Sequence, residues 1–227
     1  MQLGMQLPSL VSLHRWLRPL DLLPGLNQPL LNCIKSFAEN FNSYERDCIL
    51  MWDEMRIKTY IEYDRRHDTI VGVVDHGGME KELIPAKEAL VFLVRGISGN
   101  WSFPVSFYFS SEATQTSTIS RLLPETIDAL EKIGLNVRAC MSEMVFTNQG
   151  VFRKLKISES SPFIWRNRKK IYCLYDSCHL IKLVRNNLKS KGGFVFNSGT
   201  AKWEHIERAY AYDTGTTNRL MPKLTED

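Results

Sequence analysis

The feature that most limits how this chain folds is the run Asp47-Cys48-Ile49-Leu50-Met51-Trp52-Asp53-Glu54-Met55. An apolar stretch this short, closed by acids, reads as a central strand buried on both faces, with its polar end emerging at the edge of the sheet. Asp53 sits where that strand surfaces. The chain has 227 residues, 44% of them hydrophobic and 24% charged, enough for one large domain or one domain with a small appendage.

The remaining sequence supplies partners for such a strand. Asp68–Asp75 reads as a second strand, turned by His76-Gly77-Gly78, and Leu90–Arg95 and Val105–Phe109 read as two more. Pro124–Ile133 follows as a helix, with Pro124 near its first turn and Gly134 at its stop. Leu135–Met141 and Lys169–Tyr175 are further strands. Asp176 or Ser177 caps a helix starting near His179, with Leu180, Leu183, Val184 and Leu188 as its apolar stripe. Trp203, Ile206, Ala209 and Tyr210 mark a last helix. Ahead of all this, residues 1–45 form a small helical N-terminal module. Leu13, Trp16, Leu17 and Leu20 recur at helical spacing, Pro19 and Pro24-Gly25 interrupt it, and Leu30, Leu31, Ile34 and Phe37 resume it.

This order describes an α/β chain compatible with a ribonuclease H-like mixed sheet with flanking helices. In that architecture, carboxylates at the ends of central strands meet to hold divalent ions. Such ions polarise a phosphoryl oxygen and activate water or a hydroxyl. Hard Mg²⁺ prefers oxygen donors, so Asp and Glu are the residues to seek.

Charge is distributed unevenly. Residues 166–191 carry eight Lys and Arg against the single acid Asp176, a balance of +7, whereas the whole chain is +4 and the remainder therefore −3. Lys182, Arg185 and Lys189 fall on one face of the helix after Asp176. The segment reads either as a solvated loop and helix face or as a surface for a polyanion. The five cysteines, Cys33, Cys48, Cys140, Cys173 and Cys178, form no CxxC pair and read as reduced thiols of an intracellular protein. Charges interrupt every hydrophobic stretch, so no membrane span is expected, and residues 1–25 lack the pattern of a secretory signal.

Several motifs, in order, resemble the P-element transposase family and its THAP-domain-containing relatives. Leu7-Pro8-Ser9-Leu10 through Trp16 is similar to the family's lead into the nuclease domain, and Trp52-Asp53-Glu54-Met55-Arg56-Ile57-Lys58 to its first catalytic strand. Arg95-Gly96-Ile97-Ser98-Gly99-Asn100-Trp101-Ser102-Phe103-Pro104 resembles its RGL-x-x-x-W-K-x-P element, with Ser102 where Lys is usual. Tyr175–Asn187 resembles its D-x-x-H-L-x-K-x-x-R-N block. Trp203-Glu204-His205-Ile206 and Pro222-Lys223-Leu224-Thr225 resemble the opening of its GTP-binding insertion.

The resemblance implies a domain organisation of residues 1–45, an RNase H-like transposase domain over 46–191, and the start of the insertion over 192–227. It implies DNA as partner, the nucleus as location, and Mg²⁺-dependent cutting and joining of DNA. It also implies GTP in relatives, at a site not contained in these residues. Asp53 matches the first catalytic and metal-binding acid. Glu143 stands at the second, in a pattern like V-x-D-x-G-x-x-N read here as Met141–Asn148, with Val145 replacing the Gly. Glutamate is one methylene longer than aspartate, and the family's third acid follows the insertion, so these residues alone are expected to be inactive and their fold to self-associate. Lys182, Arg185, Lys189, Arg168 and Lys169 are the candidate DNA contacts. Taken by themselves, Asp53 with Glu54 also fit a surface acid pair, and Glu143 a solvated turn acid. A non-catalytic DNA- or protein-binding module is the alternative function, and a nuclease recruiting Glu54 or Asp176 a third.

Overall fold

The computed structural model describes residues 9, 11, 12, 15, 22–78, 81–216 and 218–225. The helical spacing of Leu13, Trp16, Leu17 and Leu20 lies outside them. The described elements are β1 (Gly25–Leu26), α1 (Gln28–Ala38), β2 (Asp47–Arg56), β3 (Glu62–Asp64), β4 (Thr69–Val71), β5 (Val73–Asp75), β6 (Lys81–Pro85), β7 (Glu88–Gly96) and β8 (Ser102–Ser110). After them come α2 (Thr116–Lys132), β9 (Asn136–Ser142), α3 (Phe146–Lys154), β10 (Phe163–Arg166), β11 (Lys169–Tyr175), α4 (Ser177–Ser190), β12 (Phe194–Phe196), β13 (Gly199–Ala201) and α5 (Trp203–Thr214).

One nine-stranded sheet runs β10-β11-β9-β2-β7-β8-β5-β6, with β1 added against β8. The mixed α/β, ribonuclease H-like fold expected from the sequence is thus present. β2 pairs antiparallel with β7 and parallel with β9. A parallel neighbour requires a long crossover, and β7, β8 and α2 lie within it.

Burial of β2 departs from the two-faced expectation. Cys48, Leu50 and Trp52 are buried together with Leu90, Phe92 and Val94 of β7, while Ile49, Met51, Val91 and Leu93 on the other face are half-buried. The dry face is covered by α2, whose Ile119, Leu122, Leu123, Ile127 and Leu130 are fully buried, and by α3, whose Phe152 meets Trp52 edge-on.

α2 begins at Thr116, not near Pro124, so Pro124 lies inside the helix. An interior proline sacrifices a hydrogen bond and crowds the preceding turn. The long buried stripe on either side of it outweighs that local cost. The strand read over Asp68–Asp75 is likewise two strands. At Gly72 φ is +80°, and a Cβ there would sit 1.7 Å from the Tyr60 carbonyl oxygen, so the chain breaks and β4 turns to β3 while β5 joins the main sheet. The Arg95–Pro104 motif has a packing explanation. Trp101 stacks on Phe41 at 5.2 Å, donates Nε1–H to the Glu45 carbonyl at 3.2 Å, and lies so close to Gly96 and Gly99 that a Cβ would meet the indole at 2.4 and 2.6 Å.

The chain divides into two compact units, one ending at Leu174 and the other spanning Tyr175–Asp227. Residues 175–191, grouped above with the nuclease-like domain, fall in the second unit, and β1 ties part of residues 1–45 to the main sheet. On α4, Asp176 is the N-cap, accepting from the Cys178 amide at 2.9 Å. Its expected apolar stripe is half-exposed: no residue of α4 is buried, and Val184 is exposed.

Candidate functional site

The parallel pairing of β2 with β9 positions the two sequence-predicted carboxylates. Trp52 lies in register with Ser142, so Asp53 and Glu143, each one residue further, stand at the same end of neighbouring strands. Strand alternation turns Asp53 away from the buried Trp52, and it is exposed; Glu143 is half-buried in the short connection before α3. Asp53 Oδ1 accepts from the Glu54 amide at 2.8 Å.

A network of buried and part-buried polar contacts fixes this strand end. Trp52 Nε1 donates to Asn148 Oδ1 at 2.8 Å, and Asn148 Nδ2 donates to the Glu143 carbonyl at 3.0 Å. The bond between Trp52 and Asn148 is buried and strengthened accordingly, while the one to the Glu143 carbonyl is part-buried. Glu54, on the opposite face from Asp53, accepts from the Thr114 amide at 2.6 Å, and Thr116 Oγ1 donates to the Thr147 carbonyl at 3.1 Å. Glu54 therefore holds the loop entering α2, on the face opposite Asp53. Sequence reasoning missed Asn148 as a positioning residue; its signal was the final Asn of the V-x-D-x-G-x-x-N pattern.

Two carboxylates suit Mg²⁺, which is often held by one or two such groups with water and substrate phosphates completing its octahedron. Among the described residues, no group of three His, Cys, Asp or Glu side chains is placed to hold a metal ion. Two carboxylates do not by themselves build a two-ion clamp.

The basic candidates fall into two places. Arg168 and Lys169 belong to the β10–β11 hairpin, where Asn167 and Arg168 have φ of +47° and +63°, as a two-residue hairpin turn requires. Lys169 Nζ donates to Asn136 Oδ1 at 3.2 Å. Lys182, Arg185 and Lys189 are exposed on α4 in the second unit, with Arg185 donating to Asn186 Oδ1 and Lys189 Nζ 5.4 Å from the Trp203 ring centre. An open cleft in that unit is lined by Arg185, Lys189 and Lys223, by the rings of Trp203 and Tyr210, and by the single acid Glu207. All five cysteines are free. No helix among the described residues is long and apolar enough to cross a membrane.

The family described as TNP-like, RNase H N-terminal domain, matches residues 22–156, and the TNP-like GTP-binding insertion domain matches residues 178–227. This chain belongs to the P-element transposase family. Among its relatives, human DNA transposase THAP9 is 25% identical over 219 residues, 92% of this chain and 24% of that protein. The Drosophila melanogaster transposable element P transposase is 29% identical over 192 residues, 83% of this chain and 23% of its own length. The solved Drosophila P element transposase strand transfer complex superposes with a TM-score of 0.72 at 26% identity, covering 97% of this chain and 46% of that one. The P-element-type chain thus spans about a quarter of the length of these curated relatives.

Proposed function

We propose that this chain is part of a P-element-type DNA transposase, contributing Asp53 and Glu143 to metal-dependent phosphoryl transfer on nuclear DNA and basic surfaces to DNA binding. The observation that carries the reading is the parallel β2–β9 pairing, which puts the two carboxylates at one end of adjacent strands. Asp53 and Glu143 would hold the Mg²⁺, which when bound activates water or a hydroxyl and offsets charge on the reacting phosphate. Asn148 keeps the Glu143 backbone in place from the side of Trp52, so that the longer glutamate starts from a fixed origin. Lys182, Arg185, Lys189, Arg168 and Lys169 neutralise backbone phosphates without reading bases. The cations and rings of the second unit's cleft suit a phosphate-bearing ligand, while the GTP site of relatives is proposed to be completed outside these residues.

A second reading is favoured by the count of carboxylates. With Glu143 in place of aspartate and no three-residue acid cluster among the described residues, the 227 residues alone act as a DNA-binding module without cleavage. The test is incubation of the purified chain with labelled DNA and Mg²⁺ or Mn²⁺. We expect no cleavage or strand transfer, and no rescue by Glu143→Asp alone. Metal-dependent products that vanish in Asp53→Ala would overturn the second reading in favour of an active nuclease, while retained DNA binding without products supports it.

A further inference from the structure

The β10–β11 hairpin carries a feature that the nuclease-like strand ends do not use. Its residues alternate cleanly. Ile171 and Cys173 are buried, while Lys170, Tyr172 and Leu174 face outward, and the register sets Phe163 opposite Tyr172 and Trp165 opposite Lys170. Trp165 is 65% exposed and Tyr172 47%, on the same face of the hairpin at diagonal register positions with Phe163 in contact with both.

The rings are arranged edge to face. Phe163 meets Trp165 at 6.0 Å and 89°, and Tyr172 at 5.9 Å and 71°. Lys170 Nζ lies 4.3 Å from the Phe163 ring centre and 5.4 Å from that of Trp165. The Lys170 ammonium thus covers one side of Phe163 and Trp165, while the exposure of Trp165 and Tyr172 leaves ring surface in solvent for a planar group beside that cation.

The hairpin is also held rigidly from its other side. Arg166 Nε donates to Asp128 Oδ1 of α2 at 2.7 Å, Asn167 Nδ2 donates to Glu131 Oε2 at 2.5 Å, and Lys169 reaches Asn136. These bonds occupy the nearby acids of α2 and leave the aromatic face preorganised. From Phe163 to Tyr175 every charged residue is basic: Arg166, Arg168, Lys169 and Lys170.

We propose that this face is a stacking platform for unpaired nucleotides of a single-stranded DNA segment. Charge complementarity selects a polyanion, with Lys170 and the turn cations meeting phosphates. The open rings select an unpaired strand, because duplex bases already bury their faces against one another, whereas every unpaired base offers one. The platform rests on the DNA-binding reading above and goes beyond it by naming the strand state recognised and the residues that recognise it.

The test uses the full chain in fluorescence-anisotropy titrations with a labelled oligothymidylate of about twelve nucleotides, a length in the usual range for such sites, and with a duplex of equal length. Trp165→Ala should weaken single-strand binding about tenfold, as removal of one base–aromatic stack does, and leave duplex binding unchanged. Trp165→Phe should retain most of the affinity. Lys170→Ala should lower the salt slope on the single strand by about 0.7, the value for one phosphate left without its cation, whereas Trp165→Ala should not. A thermal melt confirms that each variant folds, and Tyr172→Ser provides a second aromatic deletion should Trp165→Ala fail to do so.

Single-strand affinity that survives Trp165→Ala and Tyr172→Ser, but falls when Lys182, Arg185 and Lys189 are removed, would overturn the platform and leave the DNA-binding reading standing. Equal losses on both DNA forms would also overturn it. Failure of the unmodified chain to bind either form would remove the DNA-binding reading and the platform together. A change in sedimentation of the Trp165 variant with DNA binding intact would reassign the face to protein contacts.

Discussion

The two compact units are held together by different physics. Among the described residues, every buried apolar side chain lies before Leu174, whereas the single buried residue from Tyr175 onward is a carboxylate, Asp213. In the first unit, stacked strands and helices exclude water around Trp52, Phe92 and Leu50. In the second, the Asp213 carboxylate gathers the amides of Leu220 at 2.6 Å and Met221 at 3.2 Å and the Arg219 guanidinium at 3.1 Å, while Ile181, Val184, Val195 and Phe196 remain exposed. Placement of Asp53 and Glu143 is accordingly supported by a true core. The second unit is organised by polar bonds around Asp213 instead.

The largest effect should come from breaking the core under the strand end. Trp52→Ala removes the ring packing against Phe92 and Phe152 and the bond to Asn148, and should cost about 3–5 kcal/mol. Val195→Ala in the second unit, at an 85% exposed position, should cost less than about 0.5 kcal/mol. Asn148→Ala lies between, at about 1–3 kcal/mol, since it leaves a buried indole N–H without its acceptor. Urea unfolding of the three variants checks the order; comparable costs at Trp52 and Val195 would dissolve the contrast.

How much of the fold is legible in the sequence follows the same division. The apolar run of β2, the strand at β9 and the Gly134 stop ahead of it announce themselves locally, so the strand ends carrying Asp53 and Glu143 could be placed from sequence. The face of each residue could not. That β2 would bury Trp52 but only half-bury Met51 depends on which helices cover each side, a tertiary outcome. Pro124 misled because propensity marks it as a helix start, and only the long buried stripe of α2 reveals why the helix continues through it. Glu54 enters only as one residue that a third reading could recruit to the acid set; alternation along the strand sends it to the face opposite Asp53, and its bond to Thr114 involves a residue sixty positions away.

The second unit offers a sharper discriminator in its pH dependence. Burial by itself pushes the Asp213 carboxyl up, but the Leu220 and Met221 amides and Arg219 outweigh it and hold the group below the usual carboxylate range. A folded value below the unfolded one, near 3.9, contributes stability above that pH that is lost as pH falls through the folded value. Protease nicking within residues 214–225 should therefore rise on acidification below about pH 4 in the native chain. Asp213→Asn should show fast nicking already at neutral pH, with little further change on acidification. Nicking of Asp213→Asn no faster than that of the native chain at neutral pH would show that the carboxylate does not organise this unit.

A smaller change is expected in DNA binding, because charge on an exposed helix face contributes diffusely. Replacing Lys182, Arg185 and Lys189 with Ala should lower duplex affinity and flatten its salt dependence by about 0.9 for each phosphate no longer neutralised. The melting profile of the first unit should be unaffected. An unchanged slope would remove the α4 face from the DNA-binding surface and leave the hairpin cations as the basic surface to be tested.

The smallest perturbation compares the units without altering either. Cys33 and Cys178 are exposed, whereas Cys48, Cys140 and Cys173 are buried in the sheet. Burial, reinforced by neighbouring Asp47, pushes the Cys48 thiol up to about 12, and burial pushes Cys173 up to about 11 and Cys140 well above its ordinary value. The thiolate is the reactive form, so at about pH 8 the three sheet cysteines are both shielded and protonated. A disulfide-exchange reagent should titrate two thiols per native chain quickly and all five only in denaturant. The slow phase then reports opening of the hydrophobic unit alone, since Cys178, the one cysteine after Leu174, reacts from the native state. Trp52→Ala should accelerate that slow phase and Asp213→Asn should leave it unchanged; acceleration by Asp213→Asn would mean that the two units open together, and the contrast between them would fail.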